Sequence, residues 1–311
     1  MNKNIFPPVG CLLMLLAGPA SANINIVFDY TYDTNHFFGS VGSTQRTIME
    51  AAANVFESRI TDTLGAITPG GTDFFTISFR NPSATNNNLL NLPFSVNPEE
   101  ITIFLGARSM SGGALGEGGP GGFLADGSAA FVNSVSRGQP GYTPQDTSFA
   151  NETDFAPWGG SIAFNSTFGS WYFDSNLNTA NDINGYDFYS VAVHEIAHVL
   201  GIGTADSWNQ KKSVSGTTLI GPNSGTVALS SDGAHWQDGT HSTINGQGSF
   251  EAAMDPTLSN NTRKNLTDLD WNGLRDVGWV VSASPVPEPE TWALLLAGLG
   301  LVGFGSRKRP V

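Results

Sequence analysis

Hydrophobic and polar positions recur with two different periods along this chain, and the change of period marks where strands give way to helices. Ile24-Asn25-Ile26-Val27-Phe28 alternates every second residue, as a half-buried strand does. From Thr44 to Thr61 the apolar positions take helical spacing, with Ile48, Ala51, Ala52, Val55, Phe56 and Ile60 on one side. Phe75 to Phe79 and Ile101 to Leu105 are short runs of aromatic and β-branched residues and predict two further strands. Ser161-Ile162-Ala163-Phe164-Asn165 predicts the last strand before a second helix, which runs from Asp187 toward Leu200. In that helix Phe188, Val191 and Ala192 begin an apolar stripe that Ile196, Val199 and Leu200 continue. Asp187 or Ser190 is placed to cap its start, and Gly201 and Gly203 stop it. A third helix spans Thr267 to Val277, where Thr267 and Asp270 form a capping box and Leu269, Leu274 and Val277 face inward. Between these elements, Ser111 to Gly122 is rich in glycine and predicts a mobile loop. No internal repeat stands out, and the fold class is α+β.

The two ends carry apolar runs of another kind. Residues 1–22 contain Lys3, an apolar stretch from Val9 to Leu16, and Ala20-Ser21-Ala22, the layout of a secretory signal peptide with a small-residue cleavage site. The apolar stretch is too short to span a bilayer. The sole cysteine, Cys11, lies inside this segment, so disulfides and thiolate ligands are excluded from the mature chain. Residues 284–311 hold Val286-Pro287-Glu288-Pro289, an apolar run from Trp292 to Gly305, and Arg307-Lys308-Arg309. Basic residues after an apolar run favour retention on the cytoplasmic side. The order of spacer, apolar helix and basic tail resembles the PEP-CTERM sorting signal of Gram-negative bacteria. That resemblance implies recognition by an exosortase, a transient inner-membrane contact through the C-terminal helix, and delivery to the cell surface or extracellular matrix.

Residues 23–283 remain, enough for one large domain with its own core. Only 13% of residues are charged and 37 of 311 are glycine, which suits a loop-rich exported protein. The formal net charge of −13 argues against nucleic acid or an anionic membrane as a partner.

The chemistry is concentrated in His194-Glu195-Ile196-Ala197-His198. On a helix, His194 and His198 lie one turn apart on the same face, so both imidazoles can hold one metal ion. Glu195 then stands beside that metal, placed to take a proton from a bound water whose pKa zinc lowers to about 7. Catalytic zinc normally has three protein ligands. Asp206, His235, His241 and Glu251 are the candidates for the third; His36 reads as structural. Asp174, Asn176, Asn178 and Asp182 have a faint calcium-loop spacing, but the turn glycine and closing glutamate are missing, so they read as a polar loop.

The motif resembles that of the metzincin zinc metalloproteases, HExxHxxGxxH, with Gly201 in place and Thr204 where the family has its third histidine. Ala234-His235-Trp236-Gln237 followed by Ala253-Met254-Asp255-Pro256 resembles the leishmanolysin-like branch, in which a distant His-Trp supplies that ligand ahead of a methionine turn. Asp255-Pro256 is a turn signal in its own right. The resemblance implies a two-lobed zincin-like domain over residues 23–283, with a twisted mixed sheet and an active-site helix. It also implies that the strand at Ser161–Asn165 borders the cleft and pairs with an extended substrate. Zn2+ would be held by His194, His198 and His235, with Glu195 as general base and a protein or peptide as substrate. The family often places a tyrosine near the methionine turn; here the last tyrosine is Tyr189, ahead of the motif, which leaves oxyanion stabilisation to the metal and backbone donors. A secreted metalloendopeptidase is the leading expectation. A zinc-binding surface protein without turnover and a zinc amidohydrolase acting on a non-peptide amide are the alternatives.

Overall fold

The computed structural model describes residues 23–86, 88–139, 158–174, 176 and 183–283. The signal-peptide segment, the sorting segment, and Asn178 and Asp182 lie outside these residues. The first half of the chain forms β1 (Asn25–Asp29), α1 (Thr44–Glu57), β2 (Phe74–Arg80), β3 (Leu89–Pro93), β4 (Glu100–Arg108), β5 (Gly116–Pro120), β6 (Gly122–Asp126) and α2 (Ala129–Ser134). Then come β7 (Gly159–Asn165), β8 (Trp171–Tyr172), β9 (Tyr186–Asp187), α3 (Phe188–Val199), α4 (Asp206–Gln210), β10 (Thr218–Gly221), β11 (Gly225–Ala228), β12 (His241–Ile244), β13 (Gln247–Glu251) and α5 (Asp268–Val277). The fold is mixed α+β, with several small sheets and few helices. Among the described residues, no helix is long and apolar enough to cross a membrane.

The main sheet has the order β1-β4-β7-β5. Its first three strands are parallel, and β5 runs antiparallel to β7 at the edge. β4 is buried along nearly its whole length because both of its faces are covered. Ile101, Ile103 and Leu105 point into a core shared with Ile48, Ala52 and Phe56 of α1 and with Ala192 and Ile196 of α3. Phe104 points the other way, against the antiparallel sheet β3-β2-β6, where it stacks on Phe79 at 4.1 Å between ring centroids and meets Trp158. Two-sided burial explains the unbroken apolar run in that segment, since a strand covered on both faces does not alternate.

α1 is shorter than the periodicity predicts, ending at Glu57 with Ser58 as its C-cap. α3 starts at its N-cap Asp187, whose carboxylate accepts from the Ser190 N–H at 3.1 Å and Oγ at 2.7 Å. Arg263 also binds that carboxylate, through Nε at 2.9 Å and Nη2 at 2.8 Å, in a pair with almost no solvent exposure. The start of α3 is therefore tied to the segment that leads into α5. α5 has the expected capping box at Thr267 and Asp270 and ends at Gly278, whose φ of 132° only glycine adopts readily.

The edge of the main sheet departs from expectation. Ser161–Asn165 does belong to a strand, β7, but β7 is interior, and β5 stands between it and the cleft. β5 comes from the glycine-rich stretch that the composition assigns to a mobile loop. The strand forms there because glycine permits close backbone approach on both sides. A Cβ on Gly160 would lie 2.1 Å from the Gly119 carbonyl oxygen, and one on Gly118 would lie 2.6 Å from that of Glu195. No hydrophobic alternation signals such a strand, because three of its five residues are glycine.

Candidate metal centre

α3 presents His194 and His198 one turn apart, and the loop after β11 brings His235 to them across 37 residues. The three Nε2 atoms form a small triangle, with 3.0 Å between His194 and His198, 3.0 Å between His198 and His235, and 3.2 Å between His235 and His194. Three nitrogens at such mutual distances cannot all be hydrogen-bonded to one another. They can share one ion: tetrahedral ligands at about 2.0–2.1 Å from a metal stand roughly 3.3–3.4 Å apart.

The opposite ring nitrogens fix the tautomers. Nδ1 of His194 is 2.7 Å from the Ala253 carbonyl oxygen, Nδ1 of His198 is 2.8 Å from that of Ile202, and Nδ1 of His235 is 2.8 Å from Asp232 Oδ2. Each partner is an acceptor, so each Nδ1 carries the proton and each Nε2 turns a lone pair inward. Burial, with the neighbouring imidazoles adding to it, holds His194 well below its ordinary pKa and lowers His198 to about 4. Both rings are thus neutral, the ligating form, near pH 7. Burial alone would raise the Asp232 carboxyl, but hydrogen bonds from Ser230, the Ala234 N–H and His235 outweigh it and hold Asp232 well below the usual carboxylate range. The residues fit a metal with one protein-free face.

Glu195 lies on the same helix turn, almost fully buried. Burial raises its pKa to about 8, the Gly118 N–H that binds it pulls the other way, and nearby Glu117 adds to the rise. A bound cation beside it would favour the carboxylate. β5 presses its glycines on this side chain, since a Cβ on Gly116 would stand 2.6 Å from Glu195 Oε1. The cleft in front of the triangle encloses about 670 Å³ and is bordered by β5 on one side and by Asp255–Leu258 on the other. Tyr186 and Lys264 also line it.

The other candidate ligands fall elsewhere. Asp206 is exposed at the start of α4. His241 is exposed on β12 with Nδ1 2.8 Å from the Gly239 carbonyl oxygen. Glu251 lies in an acidic group with Asp238 and Asp255, where Lys264 Nζ already supplies the cation, binding Asp255 and standing 3.4 Å from Glu251. Thr204 lines the cleft and donates its hydroxyl to the His198 carbonyl at 2.7 Å. His36 occupies an exposed turn with φ 56°.

Two features escaped the sequence reading. Asp232, three residues ahead of His235, is visible in the sequence only as one more polar loop residue. Asp270 is legible as a capping residue, but its buried carboxylate also binds three groups around the methionine turn: Trp236 Nε1 at 2.8 Å, the Ala253 N–H at 3.0 Å and the Met254 N–H at 3.2 Å. Met254 is fully buried, and its carbonyl accepts from the Trp236 N–H at 3.0 Å. The turn and the His235 loop are therefore held together by one carboxylate.

Residues 285–309 match the PEP-CTERM protein-sorting motif. The match covers the sorting segment and marks the chain as an exported, cell-surface-targeted protein of a Gram-negative bacterium, handled by exosortase sorting machinery. No curated protein matches the chain.

Proposed function

We propose that this protein is an exported zinc-dependent metalloendopeptidase of the metzincin type, closest in its ligand pattern to the leishmanolysin-like branch. The observation that carries the reading is the Nε2 triangle of His194, His198 and His235, with every Nδ1 engaged by an acceptor, beside the buried carboxylate of Glu195. His194, His198 and His235 would hold the zinc. When bound, zinc supplies Lewis acidity toward a carbonyl oxygen and makes water acidic near neutral pH.

Glu195 takes the proton from the attacking water and hands it to the leaving amine, so bond cleavage proceeds without a covalent enzyme intermediate. The Gly118 N–H keeps the Glu195 carboxylate oriented during that exchange. Among the described residues β5 has β7 on one side and no strand on the other, so an extended chain can add to that edge through backbone hydrogen bonds. This favours a peptide over an amide of other shape.

The test compares zinc content and peptide hydrolysis of the purified protein with those of His235→Ala and Glu195→Gln. Near-stoichiometric zinc lost in His235→Ala, and hydrolysis abolished with zinc retained in Glu195→Gln, are the expected results. Hydrolysis that survives Glu195→Gln would exclude this mechanism, and a wild type that holds zinc but cleaves nothing would leave a metal-binding surface protein.

A further inference from the structure

On β5, Gly116 and Gly118 face Glu195, so the residue between them, Glu117, faces the opposite side of the sheet. There its carboxylate meets two guanidinium groups, Arg80 from the end of β2 and Arg108 from the end of β4. Glu117 borders both the active-site cleft and a second cavity of about 120 Å³ that contains Arg80, Arg108 and Ser161. The group carries two positive charges against one negative, in a chain whose net charge is −13.

The two arginines are not equivalent. Arg108 is buried, with its side chain 4% exposed, and binds the Pro82 carbonyl as well as Glu117. The Arg80 side chain is 35% exposed; its Nη1 binds Glu117, its Nε is buried without a partner, and its Nη2 makes no hydrogen bond among the described residues. A guanidinium has five donors in a fixed fork that suits a carboxylate, and Arg80 has donors left over. If the group served only to fasten β5, its outer member would be expected to spend its donors within the protein.

A peptide added to the free edge of β5 places the side chain opposite Glu117 on the same face, about 4.5–5.5 Å away between Cβ atoms. The partly exposed cation on that face is Arg80, bound to Glu117. We infer that Arg80 is a specificity-determining residue that selects substrates with an aspartate or glutamate at the position paired with Glu117. The inference rests on the peptidase reading. Arg108 neutralises Glu117, which would otherwise repel the incoming carboxylate, and Arg80 supplies the unmatched positive charge.

The experiment measures binding separately from turnover. Labelled peptides that carry glutamate, glutamine or lysine at each successive position are titrated against zinc-loaded Glu195→Gln protein, and the same peptides are given to the active protein. One position should show glutamate bound about tenfold more tightly than glutamine, with lysine weakest. Adding Arg80→Met should erase that preference, and Arg80→Glu should turn it toward lysine. Peptides cut with no acidic preference at any position, or a preference that survives Arg80→Met, would overturn the role of Arg80 while the peptidase reading stands. A zinc-loaded protein that neither binds nor cuts any of the peptides would sink both.

Discussion

Replacing Asp270 with Asn tests whether one buried carboxylate assembles the proposed metal site from its separate pieces. Oδ2 of Asp270 accepts from the Thr267 N–H at 2.7 Å, the Thr267 hydroxyl at 2.8 Å and the Ala253 N–H at 3.0 Å, while Oδ1 accepts from Trp236 Nε1 at 2.8 Å and the Met254 N–H at 3.2 Å. The side chain has no solvent exposure, so burial pushes its pKa up even though all five hydrogen bonds favour the anion. An asparagine keeps one acceptor oxygen and turns an NH2 group toward the remaining donors, whichever way the amide is flipped. At least two buried backbone or side-chain donors then lose their acceptor. At roughly 1–3 kcal/mol for each unsatisfied buried group, a loss of about 3 kcal/mol is expected. Because Ala253 orients His194 and Trp236 follows His235 directly, zinc affinity should fall with it, by about 10- to 100-fold. Urea unfolding in chelator measures the first effect, and competition with a chromophoric chelator the second. Stability within about 0.5 kcal/mol of wild type, together with unchanged zinc affinity, would refute this account of Asp270.

Other consequences follow from the same geometry. Asp232→Ala removes the acceptor of His235 Nδ1 and should weaken zinc binding about 10- to 100-fold, as read by chelator competition. Gly116→Ala places a methyl group 2.6 Å from Glu195 Oε1 and should cut turnover at least about tenfold while zinc content stays at one per chain; full activity would show that β5 does not constrain Glu195. The raised pKa of Glu195 gives a pH signature in metal-free protein. Between the ordinary value of 4.5 and about 8 the folded state holds a proton that the unfolded chain releases, so this group's contribution to stability falls as pH rises through that window. His194 and His198 act in the opposite sense, because lowered pKa values let the unfolded chain take up protons first; their effect ends about one unit above the ordinary value of 6.5 and is common to wild type and Glu195→Gln. From pH 6.5 to 8, chelated wild type should therefore lose about 2 kcal/mol relative to chelated Glu195→Gln. Parallel stability curves for the two proteins would contradict the buried, protonated Glu195.

The local elements and the first half of the site are legible in the sequence. The His194-Glu195-xx-His198 spacing lies on a helix whose stripe, cap and glycine stop are all read from nearest neighbours, and α5 with its capping box is equally local. Helical periodicity and capping act over a few residues, so they leave a mark in the chain at that range. The third ligand is different in kind. Spacing leaves Asp206, His235, His241 and Glu251 open and the resemblance at His235-Trp236 points to His235, but the fold alone, by laying the loop after β11 across the end of α3, brings His235 Nε2 to 3.0 Å from His198. The roles of Asp232 and Asp270 arise in the same way, from partners that a short motif cannot contain. β5 is the extreme case. Its glycines carry no hydrophobic pattern, and their value lies in what is absent, the Cβ atoms that would collide with Glu195 and with β7. Periodicity records how a segment meets a generic core, whereas the convergence of three imidazoles and the closeness of a bare backbone to one carboxylate depend on distances between remote segments, and those distances exist only once the chain has folded.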